Sequence, residues 1–394
     1  MHSLDRCRWL ALLAAGALLG CRDAKVTNTG VRLVPSSHAS SGCSGPDQQF
    51  APPQLPTAVT LATLVIGPLS QVAAAGDSET LFATGAGATV VAIDVSAALP
   101  VETELVAAGE VATLLATAGI VTAPELSGIC VLDADSLLVM EHTSNTILRV
   151  DRNLAVAVSF FAGAPNEAGG FADGTAEALG GTGQARFHFR GASQLIATDP
   201  LTPFVFVADT GNHAIRRISF GFVRTIAGTG APFFADGELR DAGFDSPNGL
   251  SVTCGGALLV TESGAGLAGG RRLRQIILGP SNFFGQTGTV VTRAGDGLDA
   301  TLGGNGLFAS LAAPTSPLAT SQADTYWIDA GTGILRRMAG SLDTCDCPLW
   351  VDCAAAVTAG GEFTPGGVLS LAQTGLGLLY VLDASASTLL RVTP

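Results

Sequence analysis

Few residues of this 394-residue chain have the types and spacing that chemistry needs. The segment Arg186-Phe187-His188-Phe189-Arg190 interleaves cations with aromatics, which can stack on a planar or glycan-like ligand while holding its charge. Phe187 also reads as an apolar anchor dropped into a core, with Phe244 and Phe308 as counterparts, which leaves Arg186, Phe189 and Arg190 as recognition candidates. Five acids, Glu141, Asp209, Glu262, Asp329 and Asp383, each end a short apolar run. They could form a circle suited to cations. The simpler role is that each carboxylate accepts turn amide hydrogens and pairs with Arg149, Arg217, Arg337 or Arg391 on the returning strand. Asp173-Gly174, Asp236-Gly237 and Asp296-Gly297 read as turns before they read as calcium ligands. The chain contains no Gly-rich phosphate loop opening a helix, no Gly-x-Ser-x-Gly elbow and no evident Cys/His dyad.

The composition bounds the setting of these residues. With 47% hydrophobic and 13% charged residues the chain is not disordered. Gly, Asn, Asp and Pro interrupt the apolar runs too often for a polytopic membrane protein. A net charge of -13 with a single lysine, Lys25, excludes nucleic acid as an expected partner and attraction to an anionic membrane surface. Residues 1–20 carry Arg6 and Arg8 and then the apolar run Leu10 to Leu19, the pattern of a secretory signal too short for a stable span. Leu18-Leu19-Gly20-Cys21 resembles the bacterial lipobox, in which the cysteine is diacylated and becomes the new N-terminus. Cys21 is therefore the expected lipidation site, and Arg22 after it resembles lipoproteins sent to an outer membrane. Residues 21–56, rich in Ser, Pro and Gly, read as a flexible tether. Export implies an oxidising compartment. Cys345-Asp-Cys347-Pro-Leu-Trp-Val-Asp-Cys353 is then a local disulfide rather than a metal knuckle, with Cys353 paired to Cys345 or Cys347 and the remaining thiol within reach of Cys254. Cys130 reads as a buried small hydrophobe.

Internal repeats must position all of these. The segment Val207-Ala208-Asp209-Thr210-Gly211-Asn212-His213-Ala214-Ile215-Arg216-Arg217-Ile218 recurs at 139–150, 327–338 and 381–392, at 260–276 with five extra residues, and most weakly at 82–93, where Thr84 replaces the acid. Each copy is a strand, a short turn and a returning strand. An earlier apolar start (Val72, Ile129, Leu195, Leu250, Leu318 and Val368) and a later run ending in Ala-Gly complete four strands per unit, the signature of a propeller blade. Phe206 to Ile218, flanked by Thr225-Ile226-Ala227-Gly228 and Ala235-Asp236-Gly237, resembles an NHL-repeat β-propeller, and the resemblance covers residues 57–394. The expected fold is an all-β, six-bladed propeller of four-stranded antiparallel blades, closed by residues 59–66 completing the C-terminal blade and so removing an unpaired edge.

In such a fold the residues just before the inner strands, Ser70, Ser127, Ser193, Asn248, Ser316 and Gly366, should ring the channel mouth. They form either a polar rim for a ligand or strand-entry turns. The resemblance implies comparison with lyase relatives that hold zinc with histidines around the mouth. Here only His38, His142, His188 and His213 follow the signal, and no metal or other cofactor is expected. The sequence thus points to a non-catalytic, envelope-anchored scaffold at the periplasmic or extracellular face. It would recognise a protein or glycan through its loops and meet the membrane through its lipid alone. The alternative is a lactonase- or lyase-type enzyme acting at the mouth.

Overall fold

The computed structural model describes residues 24–27, 32–35, 57–63, 69–74 and 79–393, apart from 98, 154–157, 166–168, 177–182, 191–192, 198–203, 254–255, 265–269, 283–284, 299–309, 320–324 and 339–368. A two-stranded antiparallel ribbon, β1 (Ala24–Thr27) and β2 (Arg32–Pro35), lies within the expected tether, and β3 (Thr57–Thr63) follows it.

Six small antiparallel sheets then succeed one another, each a meander from the innermost strand outward. Blade one is β4 (Leu69–Ala74), β5 (Thr80–Gly85), β6 (Thr89–Asp94) and β7 (Val101–Val106). Blade two is β8 (Leu126–Val131), β9 (Ser136–Glu141), β10 (Thr146–Asp151) and β11 (Val158–Ala162). The short strand β12 (Gly174–Thr175) joins the outer edge of blade three, made of β13 (Leu195–Ala197), β14 (Val205–Asp209), β15 (Ala214–Ser219) and β16 (Phe222–Ala227). In the same way β17 (Gly237–Glu238) joins blade four, made of β18 (Pro247–Val252), β19 (Leu258–Glu262), β20 (Arg272–Asn282) and β21 (Gly285–Ala294). Blade five shows three strands among the described residues, β22 (Pro314–Ala319), β23 (Thr325–Asp329) and β24 (Ile334–Met338). Blade six is β25 (Leu369–Gln373), β26 (Leu379–Asp383) and β27 (Thr388–Thr393), and its fourth strand is β3, paired from Thr57↔Thr393 to Thr63↔Thr388. The ring closes as expected, two to three residues earlier than the sequence placed it.

The core is divided among the gaps between blades. Side chains of a strand alternate between its faces, so in β9 Leu137 and Val139 pack toward blade one while Leu138 and Met140 pack toward blade three. Both faces are covered, which is why the strands read as continuous apolar runs. One apolar cluster fills each of the six gaps, the last joining Leu69, Leu81 and Val91 of blade one to Ala372, Tyr380 and Leu382 of blade six. The sequence reading did not foresee a helix, α1 (Glu110–Thr117), in the crossover from blade one to blade two. Val111 and Leu115, one turn apart on a single face, are buried against Val106 and Leu126 and hold it there.

The second-to-third-strand turn repeats one backbone feature. Its last residue has a positive φ at Ala88, Asn145, His213, Arg271, Gly333 and Ser387. A Cβ in that left-handed region costs about 1–2 kcal/mol unless the residue is Gly or Asn. Blade one makes the turn one residue shorter, so Gly85, opposite Thr89, stands where the other blades have their acid, and Thr84 does not. We expect Ser387→Gly to hold or raise stability by up to about 1 kcal/mol and Ser387→Val to lower it by about 1–2 kcal/mol in urea unfolding. Equal effects of the two changes would show that the turn is not strained.

Candidate functional site

All five repeated acids are fully buried at 0% exposure, so they form no surface circle for cations. The local chain explains their burial. Each ends the second strand of its blade beside the segment entering the first strand. Glu141 accepts from the amides of Glu125 (3.0 Å), Thr143 (3.0 Å) and Ser144 (2.7 Å), and from the Ser144 hydroxyl. Asp329 accepts from the Ala312 and Ala313 amides at 2.9 and 2.8 Å. Asp209 accepts from the His188 amide at 2.8 Å, and Asp383 from those of Ser385 and Ala386 at 3.1 and 3.0 Å.

The arginine partners differ from the expected ones by one residue. Arg216, not Arg217, donates to Asp209 (2.8 Å), and Arg336, not Arg337, donates to Asp329 (3.1 Å). In blade four Arg274 donates to Glu262 (2.7 Å). The reason is strand parity. Asp209 lies opposite Ala214 and Val207 opposite Arg216, so Arg216 shares the face of Asp209 while Arg217 points to the other. Arg217 donates to Gln286 (2.8 Å) and lies over Phe204. Arg149 makes only a half-exposed contact with Asp133 at 3.9 Å. Its blade has Leu148 at the inward position, as blade six has Leu390 before Arg391.

Arg216 and Arg274 do the same work twice. Arg216 also donates to the Ala172 and Arg186 carbonyls (2.6 and 3.1 Å) and to Asp173 (3.1 Å); Arg274 donates to those of Ala235 and Gly243 (2.8 and 3.0 Å) and to Asp236 (2.8 Å). Asp173 and Asp236 in turn accept from Thr225 and Thr292 on the outer strands. Each guanidinium lies between two rings, Arg216 between Phe171 and Phe187 and Arg274 between Phe234 and Phe244. Asp173-Gly174 and Asp236-Gly237 are not turns, as the sequence suggested: each glycine begins a short edge strand, β12 or β17, and each aspartate belongs to a clamp that pins a long crossover to its blade. Phe187 and Phe244 are the buried anchors the sequence indicated, and Phe308 lies outside the described residues.

The expected polar rim is largely consumed in joining blades. Thr84 donates to the Ser127 carbonyl (2.9 Å), Ser127 to that of Ser193 (3.5 Å), Thr210 to that of Pro247 (2.6 Å), Asn248 to that of Pro314 (3.1 Å), and Ser316 to that of Leu369 (3.2 Å). The Val72 amide donates to Ser370 (3.1 Å), so one such bond crosses every gap. Ser127, Ser193, Asn248 and Ser316 are buried, Ser70 is half-buried on β4, and Gly366 lies outside the described residues. Sequence reasoning missed the axial residues beside them. Gln194 Nε2 donates both to Gln71 Oε1 (2.7 Å) and to Ser316 Oγ (3.0 Å), while Gln194 Oε1 accepts from the Leu250 amide (3.1 Å). Ser370 Oγ completes the group, 3.4 Å from Gln71 Oε1. This amide lies across the axis and ties blades one, three, four and five. The available signal was a glutamine directly before the apolar start in blades one and three, facing the axis by the same parity.

Around this plug, on the face of the crossovers, stand three histidines. Ser127 Oγ lies 2.6 Å from His142 Nε2. Burial holds the His142 pKa below the usual imidazole value against the pull of Glu125 and Glu141, so the ring is neutral, and its tautomer sets which of the two groups donates. His213 is likewise lowered, mainly by burial, with Asp245 opposing and Arg190 and His188 adding to the shift; its Nδ1 accepts from the Ser246 amide at 3.1 Å. Arg186 and Arg190 are exposed, whereas Phe189 is 4% exposed and stacks on Phe187 with centroids 5.2 Å apart. Cys130 is buried on β8. Cys21, Cys254, Cys345, Cys347 and Cys353 lie outside the described residues. Among the described residues no group of three His, Cys, Asp or Glu side chains is placed to hold a metal ion, and no helix is long and apolar enough to cross a membrane.

No protein-family model and no curated protein matches the sequence. Solved structures do. A protein of unknown function from Bacteroides thetaiotaomicron VPI-5482 is similar at 16% identity and TM-score 0.50, over 68% of this chain and 57% of that one, so the chain spans little more than half its length. An auxiliary nutrient binding protein from the same organism is similar at 10% identity and TM-score 0.50, over 83% of this chain and 69% of that one. A streptogramin B lyase is similar at 10% identity and TM-score 0.48, over 86% and 97%. At these identities the likeness is one of fold.

Two outcomes test the buried clamps. Arg216→Leu, which strands a buried carboxylate, should cost about 3–5 kcal/mol in urea unfolding, whereas Arg217→Leu should cost about 1 kcal/mol or less. Glu262 is pushed up to about 7 by burial, against Arg274 and Arg272. Its folded pKa lies above its unfolded one, so its contribution is fully present below about pH 4.5 and is lost as pH rises through about 7. Glu262→Gln should therefore remove part of a decline in stability between those values, seen as a flatter dependence of the urea midpoint on pH. An unchanged slope would place the titration elsewhere.

Proposed function

We propose that this protein is an NHL-type propeller, exported and lipid-anchored through Cys21. It would serve as a non-catalytic binding scaffold of the cell envelope, recognising a protein or glycan through the crossover loops on one face. The observation that carries this reading is the Gln194 amide lying across the axis, bonded to Gln71 and Ser316. It fills the level at which a mouth-bound substrate would descend and leaves the clamped loops above it as the surface on offer. Buried arginines pin those loops, and a rigid frame presenting loops is how such surfaces recognise partners. Among structures of similar fold, one is described as an auxiliary nutrient binding protein, an analogy of fold in keeping with a binding role. The same reading assigns Cys353 a disulfide with Cys345 or Cys347.

The second reading, a lactonase- or lyase-type enzyme at the mouth, draws on the 2.6 Å contact of Ser127 with a neutral His142 and on the presence of His188 and His213 on that face.

Cross-linking the native protein in its own membranes, followed by detergent extraction and pull-down, separates the two. A stoichiometric envelope protein or glycan is the expected result. Stoichiometric zinc or calcium surviving refolding and dialysis, together with a turnover abolished by His142→Ala, would replace the scaffold reading with the enzyme.

A further inference from the structure

The segment from Arg186 to Arg190 alternates like a strand although it belongs to no sheet. Phe187 and Phe189 point inward and stack on each other, while Arg186, His188 and Arg190 are exposed. Most of its backbone is engaged. The Arg186 amide donates to the Ala172 carbonyl (3.1 Å), and the Arg186 carbonyl accepts from Arg216 (3.1 Å). Amides of Gly170 and Gly211 donate to the Phe187 and His188 carbonyls at 3.0 and 2.8 Å. The amides of His188, Phe189 and Arg190 donate to Asp209 (2.8 Å), Asn145 (2.9 Å) and Ser193 (3.2 Å). Two blades and a buried ion pair therefore fix where the three outward side chains stand. In a chain of net charge -13 with one lysine, three basic side chains within five residues are a local reversal of sign. His213 stands in the neighbouring turn, where burial and the nearby Arg190 and His188 oppose its protonation, while Asp245, 3.7 Å from its Nδ1, favours it.

We propose that Arg186, His188 and Arg190, with His213 of the neighbouring turn, form a binding site for an acidic glycan, a sugar chain bearing carboxylates. Alternate side chains of an extended segment stand about 6.6 Å apart, which offers a row of charges to a linear anionic chain rather than a pocket to a compact one. An acidic peptide would gain much of its affinity by adding a strand along a backbone edge, and here that edge is occupied. Guanidinium groups give the carboxylates paired donors. The inference rests on the loops being the recognition surface and adds the class of ligand.

The probe is polygalacturonate, titrated calorimetrically into the folded protein at low salt. We expect binding that weakens as salt rises and strengthens as pH falls. Arg186→Gln/Arg190→Gln, with an unchanged circular dichroism spectrum, should bind about three- to tenfold more weakly, as loss of two exposed charge contacts implies, while Arg224→Gln on β16 should bind as the wild type does. Bound polyanion should also raise the His213 pKa, read by NMR. Absence of binding, indifference to the double substitution, or equal binding of neutral dextran or polyglutamate would overturn the assignment. A partner captured in the membrane pull-down through other loops, with no polygalacturonate binding, would overturn this inference alone and leave the scaffold standing.

Discussion

A carboxylate buried at the end of each second strand is the interaction on which blades two to six depend. Its burial is costly, and although Glu262 Oε2 has no hydrogen-bond partner among the described residues, the chain offsets much of the cost with groups that also fix the topology. In blade two the donors are the strand-entry amide of Glu125 and the turn amides of Thr143 and Ser144. In blades three, four and five a buried arginine is added, and through it the crossover arriving from the previous blade. One charged group thus binds three pieces of chain that are distant in sequence. Burial raises the Asp209 carboxyl above its ordinary range even with Arg216 beside it, which shows how far these acids have been taken from water.

Hydrogen bonds around the axis act on a second level. Apolar clusters in the gaps give adhesion without direction, and they would tolerate blades sliding against one another. Single bonds from Thr84, Ser127, Thr210, Asn248, Ser316 and the Val72 amide set the height of each blade against the next. Gln194 then ties Gln71, Ser316 and the Leu250 amide together. Gly128 and Gly249 beside it are needed for close approach of neighbours: a Cβ would meet the Met140 sulfur and the Ser193 carbonyl at the first, and Pro317 and the Thr261 hydroxyl at the second.

The fold was legible because the repeat is a physical unit: an apolar run covered on both faces, a turn, and a returning run, six times over. The closing strand was legible because a missing outer strand at one end matched a surplus strand at the other. What the sequence hid was mostly parity. Arg216 and Arg217 are adjacent, and only the pairing of Asp209 with Ala214 reveals which one faces the acid. The same rule, applied to Arg186 through Arg190, puts both phenylalanines on one side, and Phe189 indeed lies buried on Phe187. The axial glutamines escaped because the rim was counted one residue too early in blades one and three. In blade six the inner strand pairs Leu371 with Val381, which brings Ser370 rather than the Gly366 region to the axis. Helix α1 was missed because its apolar face is only two side chains wide.

Because β3 pairs with β27, the first strand of the domain to be synthesised has no partner until the last one emerges. Blades one to five can assemble in order as they appear, each adhering to its predecessor. Throughout that time β3 must wait as an open edge, and blade six has no outer strand to complete it. Commitment to the finished ring therefore waits for the last strand of blade six. It joins segments from opposite ends of the domain, a closure slow by reason of its entropy and exposed meanwhile to pairing with other chains.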